Sequence, residues 1–558
     1  DHDGIMELPA DAPVGQAYAA WAGLGDPLIE INLTPNRQDC TGVHGIARDL
    51  AAADMGRFKE NTPKPIKGEF PCPVNVTVED AALCPGFALR LVRGVKNGPS
   101  PEWLQRRLTS IGLRPINALV DITNFVMLEY GQPLHAYDAS KLTGVMLYAR
   151  PSRRDESLKT LDGKTRKLPT SSLVIADRTQ AVGIAGIMGG ASTEVRPKTD
   201  DIVLECANFE PAAIRRTSRA IGLRTDASAR FEKGLSAELT WPAIRRAVSL
   251  IREICGGELV QLTDHYPKKQ KPATVSLEVD RLERYLGTSV ALPRLKKSLT
   301  THGFAENARG RKLSAKAPAW RPDIREDADL IEEAARTVGY DRLPSRLPTA
   351  ALVTPEEPPL MPLKRDIRRT LVGIGHTEVL THSLVGEALL EKSGFPKKLV
   401  PMANPLSEDH AYLRGSMGPR HLEAVADNLR WRNEVRFFEL GTVFEPTGPK
   451  RSPKEQAKLL VTIAAKDTKD RFGEIRGALT ALAERWHIPE ADLRFQAVEI
   501  DTFTSGRHFQ IFVKRTKVGW IGEYRAASRF KAGRVFMCSI NLDRLVPTLP
   551  EHWSVVNP

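Results

Sequence analysis

Apolar positions recur along this chain with two periods, and the changes between them mark its elements. In TGVHGIARDLAAADMG, Val43, Ile46, Ala47 and Leu50 fall at helical spacing, which predicts a helix with that face inward and a stop at Gly56. ALRLVRGVK reads as a strand, after which Ser100 as N-cap and Pro101 at the first helical position open a helix that Gly112 closes. Ile116, Leu119, Val120, Thr123, Met127 and Tyr130 share one face of the next helix, and Gly131 follows as its stop. SLKTLDGKTRKL predicts a hairpin, because Asp162-Gly163 suits the left-handed conformations of a type I′ turn. SLVIAD and DIVLECANF predict strands on either side of the glycine-rich GIAGIMGG. Far along the chain, Leu363, Ile367, Leu371 and Ile374 stack on one helix before Gly375, and EVLTHSLV alternates as a strand.

Polar and proline-rich stretches separate these patterns. NTPKPIKGEFPCP, TDHYPKKQKPATV and RLPSRLPTAALVTPEEPPLMP leave one α+β region from about 70 to 260, a small module of winged-helix size over 275–345, and a last α/β domain. A chain of 558 residues exceeds what one hydrophobic core organises, which stops growing at roughly 250–300 residues, so several domains are expected. The chain opens without an initiator methionine and reads as a fragment.

No segment approaches the roughly 18 consecutive apolar residues of a membrane span, and six scattered cysteines without C-x-x-C or zinc-ligand spacing fit a reducing cytoplasm. A net charge of +12 favours a polyanionic partner but also suits an ordinary soluble enzyme.

Several long strings carry more than these averages. TPNRQDCTGVHGIARDLAA, GLRPINALVDITNFVMLEYGQPLHAYD, GIAGIMGG, TDASARFEKGL and RPDIREDADLIEEAARTVGYDRLP, followed by NPLSEDHAYLRGS and FFELGTVF, closely resemble the β subunit of bacterial phenylalanyl-tRNA synthetase. The resemblance implies a multidomain α+β chain. It comprises a remnant of an N-terminal region (1–65), an editing α/β domain (66–265), a winged-helix-like module (270–348) and a class II synthetase-like antiparallel-sheet domain without catalytic residues (355–558). It also implies an assembly of two α and two β chains, with phenylalanine and ATP bound in α, the last domain here docking α, and tRNA(Phe) as partner. The family's N-terminal OB-type and C-terminal ferredoxin-like domains are missing from the match. GSMGPRHL and TSGRHFQ also depart from the family's strings.

A phenylalanine pocket rejects an isostere with one added hydroxyl only about a hundredfold, so tyrosine leaks through and a second pocket must demand that hydroxyl. The resemblance places such an editing site on Arg114, His135, Gly189, Glu205, Thr225 and Ala227. Chemistry suits the set. Glu205, expected to be ionised at neutral pH, can accept the phenol hydroxyl; Gly189 admits close approach; Ala227 sets pocket size. Thr225 can bond the ester end or a water, while His135 and Arg114 can orient water and stabilise negative charge. Read without the family, His135 is a structural histidine, Glu205 an arginine partner and the glycines turn residues. Arg215, Arg216, Arg219, Arg224, Arg230 and Lys233 surround this stretch as candidate contacts to acceptor-end phosphates, or as a solvated helix face.

In the small module, Asp329, Glu332 and Glu333 share one helix face and Asp323 lies near its start. Four carboxylates suit Mg²⁺ with retained waters, and the resemblance puts its magnesium ligands on these four, the ion being shared with α. The alternative is that they complement the helix dipole or pair with Arg321, Arg325 and Arg336. The expected function is therefore phenylalanine–tRNA ligation by the complex, with editing hydrolysis in this chain. The alternative is a structural tRNA-binding scaffold without editing activity. A DNA-binding role fits poorly, since the four carboxylates would repel phosphate.

Overall fold

The computed structural model describes residues 7–550, apart from 11, 24, 26, 61–62, 69, 145, 260–262, 267–270, 352–356, 397 and 449–450. Parts of all three proline- and lysine-rich stretches therefore lie outside the described residues, as do the first six and last eight positions. The chain forms two compact units, Asp1–Pro348 and Thr349–Pro558. Among the described residues no helix is long and apolar enough to cross a membrane.

The first unit is built around two sheets. In one, Gly86–Arg93 pairs with Ile202–Asn208, which pairs in turn with His135–Asp138, all antiparallel. The other runs Asn75–Val78, Met146–Pro151, Leu173–Ala176, Ala181–Ile184 and Met188–Gly189, with only its first pair parallel. Alternation along each strand divides the central core. Phe87, Leu89 and Leu91 face the second sheet, whereas Ala88 and Val92 pack beneath the helices Ala118–Tyr130 and Thr240–Cys255. Along Ile202–Asn208, Val203 and Ala207 lie on the inter-sheet side, and Ile202, Leu204 and Cys206 on the helix side. Glu205 therefore stands, by alternation, between two apolar residues.

The helix Ala118–Tyr130 has the expected face and stop: Gly131 is left-handed, with its N–H on the Met127 carbonyl, though Ile116 precedes the helix and is exposed. Other local expectations fail for identifiable reasons. Val43–Ala52 is a helix, but Val43 and Leu50 are exposed and Gly45, Arg48, Ala51 and Ala52 face inward. A Cβ at Gly45 would lie 1.8 Å from the Asp39 carbonyl oxygen, and the Arg48 guanidinium sits 4.1 Å over Trp320, so tertiary partners set this face. The helix ends at Ala52, ahead of Gly56. Ser100 does not cap; its hydroxyl donates to Asp121 at 2.6 Å, and Pro101 occupies the N-cap of Glu102–Ser110. The hairpin Ser157–Lys159/Thr165–Lys167 forms, but only Gly163 is left-handed, so its turn is not type I′.

Residues 274–338 form the small module, a three-stranded antiparallel sheet with the helices Val279–Leu286, Leu292–Thr301 and Asp327–Val338. In the second unit, a seven-stranded sheet runs Thr377–Glu378, Glu434–Glu445, Lys454–Ala465, Arg534–Asn541, Thr516–Tyr524, Phe503–Val513 and Leu493–Ala497, antiparallel after the first pair. Leu360–Gly373 and Phe472–Arg485 cover one face, and Gly418–Asn428 the other. Leu363, Ile367 and Leu371 are buried as expected while Ile374 is exposed. The expected strand EVLTHSLV is instead two short strands, Thr377–Glu378 and Leu384–Val385, with Leu380 exposed between them.

Candidate functional site

His135 and Glu205 are directly opposite in antiparallel register, and Tyr137 follows His135 by two positions on the same strand face. The Tyr137 ring meets the His135 ring edge-on at 4.5 Å, and its hydroxyl donates a short hydrogen bond to Glu205 Oε2. Glu205 is 7% exposed, and no other polar partner is present among the described residues. Burial pushes its carboxyl up to about 7, against the opposing effect of the Tyr137 hydroxyl. Glu205 thus holds its proton more tightly in this apolar wall than the fully ionised carboxylate expected from its residue type would.

Burial also pushes the His135 imidazole down to about 4, which keeps it neutral, and its Nε2 has no hydrogen-bond partner. Gly189 lies under that ring, where a Cβ would stand 2.4 Å from it. The glycine therefore makes room for the protein's own histidine. Pro133, Met188, Ala227 and Phe231 help to close the pocket, whose free volume is about 80 Å³.

Two of the six expected residues stand apart. Thr225 is the N-cap of Asp226–Phe231: its hydroxyl donates to the Ile187 carbonyl at 2.8 Å and accepts from the Ser228 N–H. Its only proton is committed, so it positions the GIAGIMGG loop instead of donating to an ester or water. Arg114 is exposed, with no partner among the described residues, and does not line the pocket. The residue that sequence reasoning missed is Tyr137; alternation along HAYD was the available signal. Of the nearby cations, Arg215, Arg216 and Arg219 are exposed on the helix Pro211–Ala220, whereas Arg230 is tied to Asp226 and the Thr41 carbonyl.

The four carboxylates of the small module are not gathered around a common point. Asp323 and Glu333 both accept from the buried Arg321. Asp329 accepts the N–H groups of Arg325 and Glu326, completing a capping box, and Glu332 accepts from Asn36 at 3.0 Å. No group of three or more His, Cys, Asp or Glu among the described residues is placed to hold a metal ion. Asp323, Asp329, Glu332 and Glu333 thus do not fit Mg²⁺ as arranged. Arginine, asparagine and helix-end donors take the charge a cation would take.

Comparison with known proteins adds three matched families: residues 83–256 match the B3/4 domain, 275–340 the tRNA synthetase B5 domain, and 343–542 the phenylalanyl tRNA synthetase beta chain CLM domain. The chain is 46% identical to the phenylalanine–tRNA ligase beta subunit of Bradyrhizobium diazoefficiens over 80% of its length and 56% of the relative's. It is 36% identical to that of Carboxydothermus hydrogenoformans over 93% of its length and 67% of the relative's. The chain thus spans 56% of the length of several curated relatives it matches, Nitrobacter winogradskyi's among them.

Proposed function

Because the chain belongs to the phenylalanine–tRNA ligase β-subunit family, we propose that its Glu205 pocket hydrolyses tyrosine mischarged onto tRNA(Phe). The complex it joins then ligates phenylalanine to that tRNA, in the cytoplasm. One observation carries the reading: Glu205 already accepts a phenolic hydroxyl, that of Tyr137, inside an otherwise apolar wall. A bound tyrosine would take over this contact as Tyr137 gives way, whereas phenylalanine would leave the acid unpaired. Neutral His135, with a free Nε2, would hold the attacking water, and Gly189 keeps its ring in place. Thr225 is a positioning residue, and Arg114 an exposed cation near the acceptor end. ATP, its Mg²⁺ and the ligation site belong to the α partner, docked through the second unit.

One observation favours the scaffold reading: the hydroxyl of Tyr137 already occupies Glu205, the acceptor a bound tyrosine would need, so an acceptor-stem scaffold with a self-filled pocket fits the resting geometry. Deacylation of Tyr-tRNA(Phe) and Phe-tRNA(Phe) by wild type and Glu205→Ala separates the two. Losing one charged hydrogen bond costs about 1.5–3 kcal/mol, which should slow tyrosine release roughly tenfold to a hundredfold and spare phenylalanine. A wild-type chain that releases no tyrosine would establish the scaffold. Equal slowing of both substrates would move Glu205 into catalysis or folding.

A further inference from the structure

The second unit has a cavity of about 490 Å³ between the sheet face that carries Leu460 and Met417 at the start of the helix Gly418–Asn428, and nothing in the proposed activity uses it. Its floor follows from strand alternation. Gln456, Lys458 and Leu460 share one side of Lys454–Ala465; Asn541 lies opposite Lys458, Ser539 opposite Leu460, and Trp520 opposite Ser539. A polar strip thus crosses a face that is otherwise packed with apolar residues. Trp520 meets Phe503 at 4.9 Å to form an aromatic wall, with Leu390, Leu399 and Met417 lining the apolar side.

The charges are unbalanced. Lys398, Lys458, Lys517 and Arg544 line the cavity, against one carboxylate, Glu445, which already accepts from the Gln456 amide at 2.8 Å. Lys458 makes no hydrogen bond or ion pair among the described residues, and its half-buried position depresses its pKa, with Arg544 adding to the effect and Glu445 opposing it. A partly desolvated ammonium without a partner is costly, and an anion entering the cavity relieves that cost.

We propose that this cavity binds a small organic anion, its carboxylate or phosphate on Lys458 and its aromatic or aliphatic body against Trp520 and Met417, and that it rejects zwitterionic amino acids. The rejection follows from the charge balance: a ligand ammonium meets four cations and a single carboxylate, Glu445, one oxygen of which already accepts from Gln456. The volume lies in the range of small-molecule sites, roughly 300–1,000 Å³.

Calorimetric titration of the 558-residue chain without α tests this, using AMP, 3-phenylpropionate, phenylalanine and inorganic phosphate as probes. At least one of AMP and 3-phenylpropionate should bind, and which one does distinguishes a phosphate from a carboxylate ligand. Binding should weaken at least tenfold in both Lys458→Met and Lys458→Gln, which lose no protein hydrogen bond or ion pair among the described residues, keep the length of the side chain's stem and should melt as wild type does. That loss also separates this cavity from the Glu205 pocket, where an adenosine could lodge. The proposal is overturned if neither organic anion binds, if the Lys458 variants bind them unchanged, or if phenylalanine binds as well as they do. It is equally overturned if phosphate alone matches them, which would mean an adventitious ion only.

Discussion

Tyr137 and Glu205 are each other's only hydrogen-bond partner among the described residues, so changing one retunes the other. The hydroxyl holds the Glu205 carboxyl down against burial, and Tyr137→Phe should therefore raise it above its present value of about 7. A pH profile of tyrosine-over-phenylalanine release should then shift to higher pH; an unshifted profile would show that the contact does not govern the acid. Stability should respond as well. A carboxyl raised from 4.5 to about 7 favours the folded state fully below pH 4.5, and this is lost as pH rises through 7. The ionised form is then disfavoured by about 3 kcal/mol. Urea unfolding of Glu205→Gln should show a gain approaching that size at pH 8 and none at pH 4. The strings that suggested His135, Gly189, Glu205 and Ala227 placed four residues that the structure brings to one pocket. Alternation along HAYD put Tyr137 on the face of His135, but its contact with Glu205 depends on the register between HAYD and LECAN, which local alternation leaves open.

The resemblance put a magnesium ligand at Asp329, yet its carboxyl accepts the Glu326 N–H in a capping box local to the helix Asp327–Val338. Asp329→Ala should cost about 1 kcal/mol of stability, equally with and without Mg²⁺ in the buffer. A loss seen only when Mg²⁺ is present would restore the cation site. Asp49 is the counterpart case. From the helix Val43–Ala52 it receives Arg37 at 2.9 Å, His302 at 3.0 Å and a short contact from Arg336, joining that helix to the small module. Its side chain is about a quarter exposed, so Asp49→Ala should cost about 1–3 kcal/mol, less than a fully buried pair. Chemical unfolding of the first unit measures it; no change would mean solvent replaces all three contacts. The inward face of that helix was misread because Arg48 buries its stem under Trp320, about 270 positions away, and no local pattern encodes that.

At the scale of the whole molecule, every sheet among the described residues closes within one of the two units. If the second unit docks α, as proposed, a fragment of residues 1–348 should fail to co-purify with a bacterial-type α subunit while the whole chain succeeds. Equal capture by both would reassign the docking surface. The separation of the sheets also bears on synthesis. The first unit lies wholly upstream, and its strands wait for nothing encoded after Pro348. At roughly 5–20 residues per second, the ribosome needs about 10–40 s more to deliver the second unit, so the Glu205 pocket can close on the nascent chain before residues 349–558, to which α docking is assigned by proposal, have been translated.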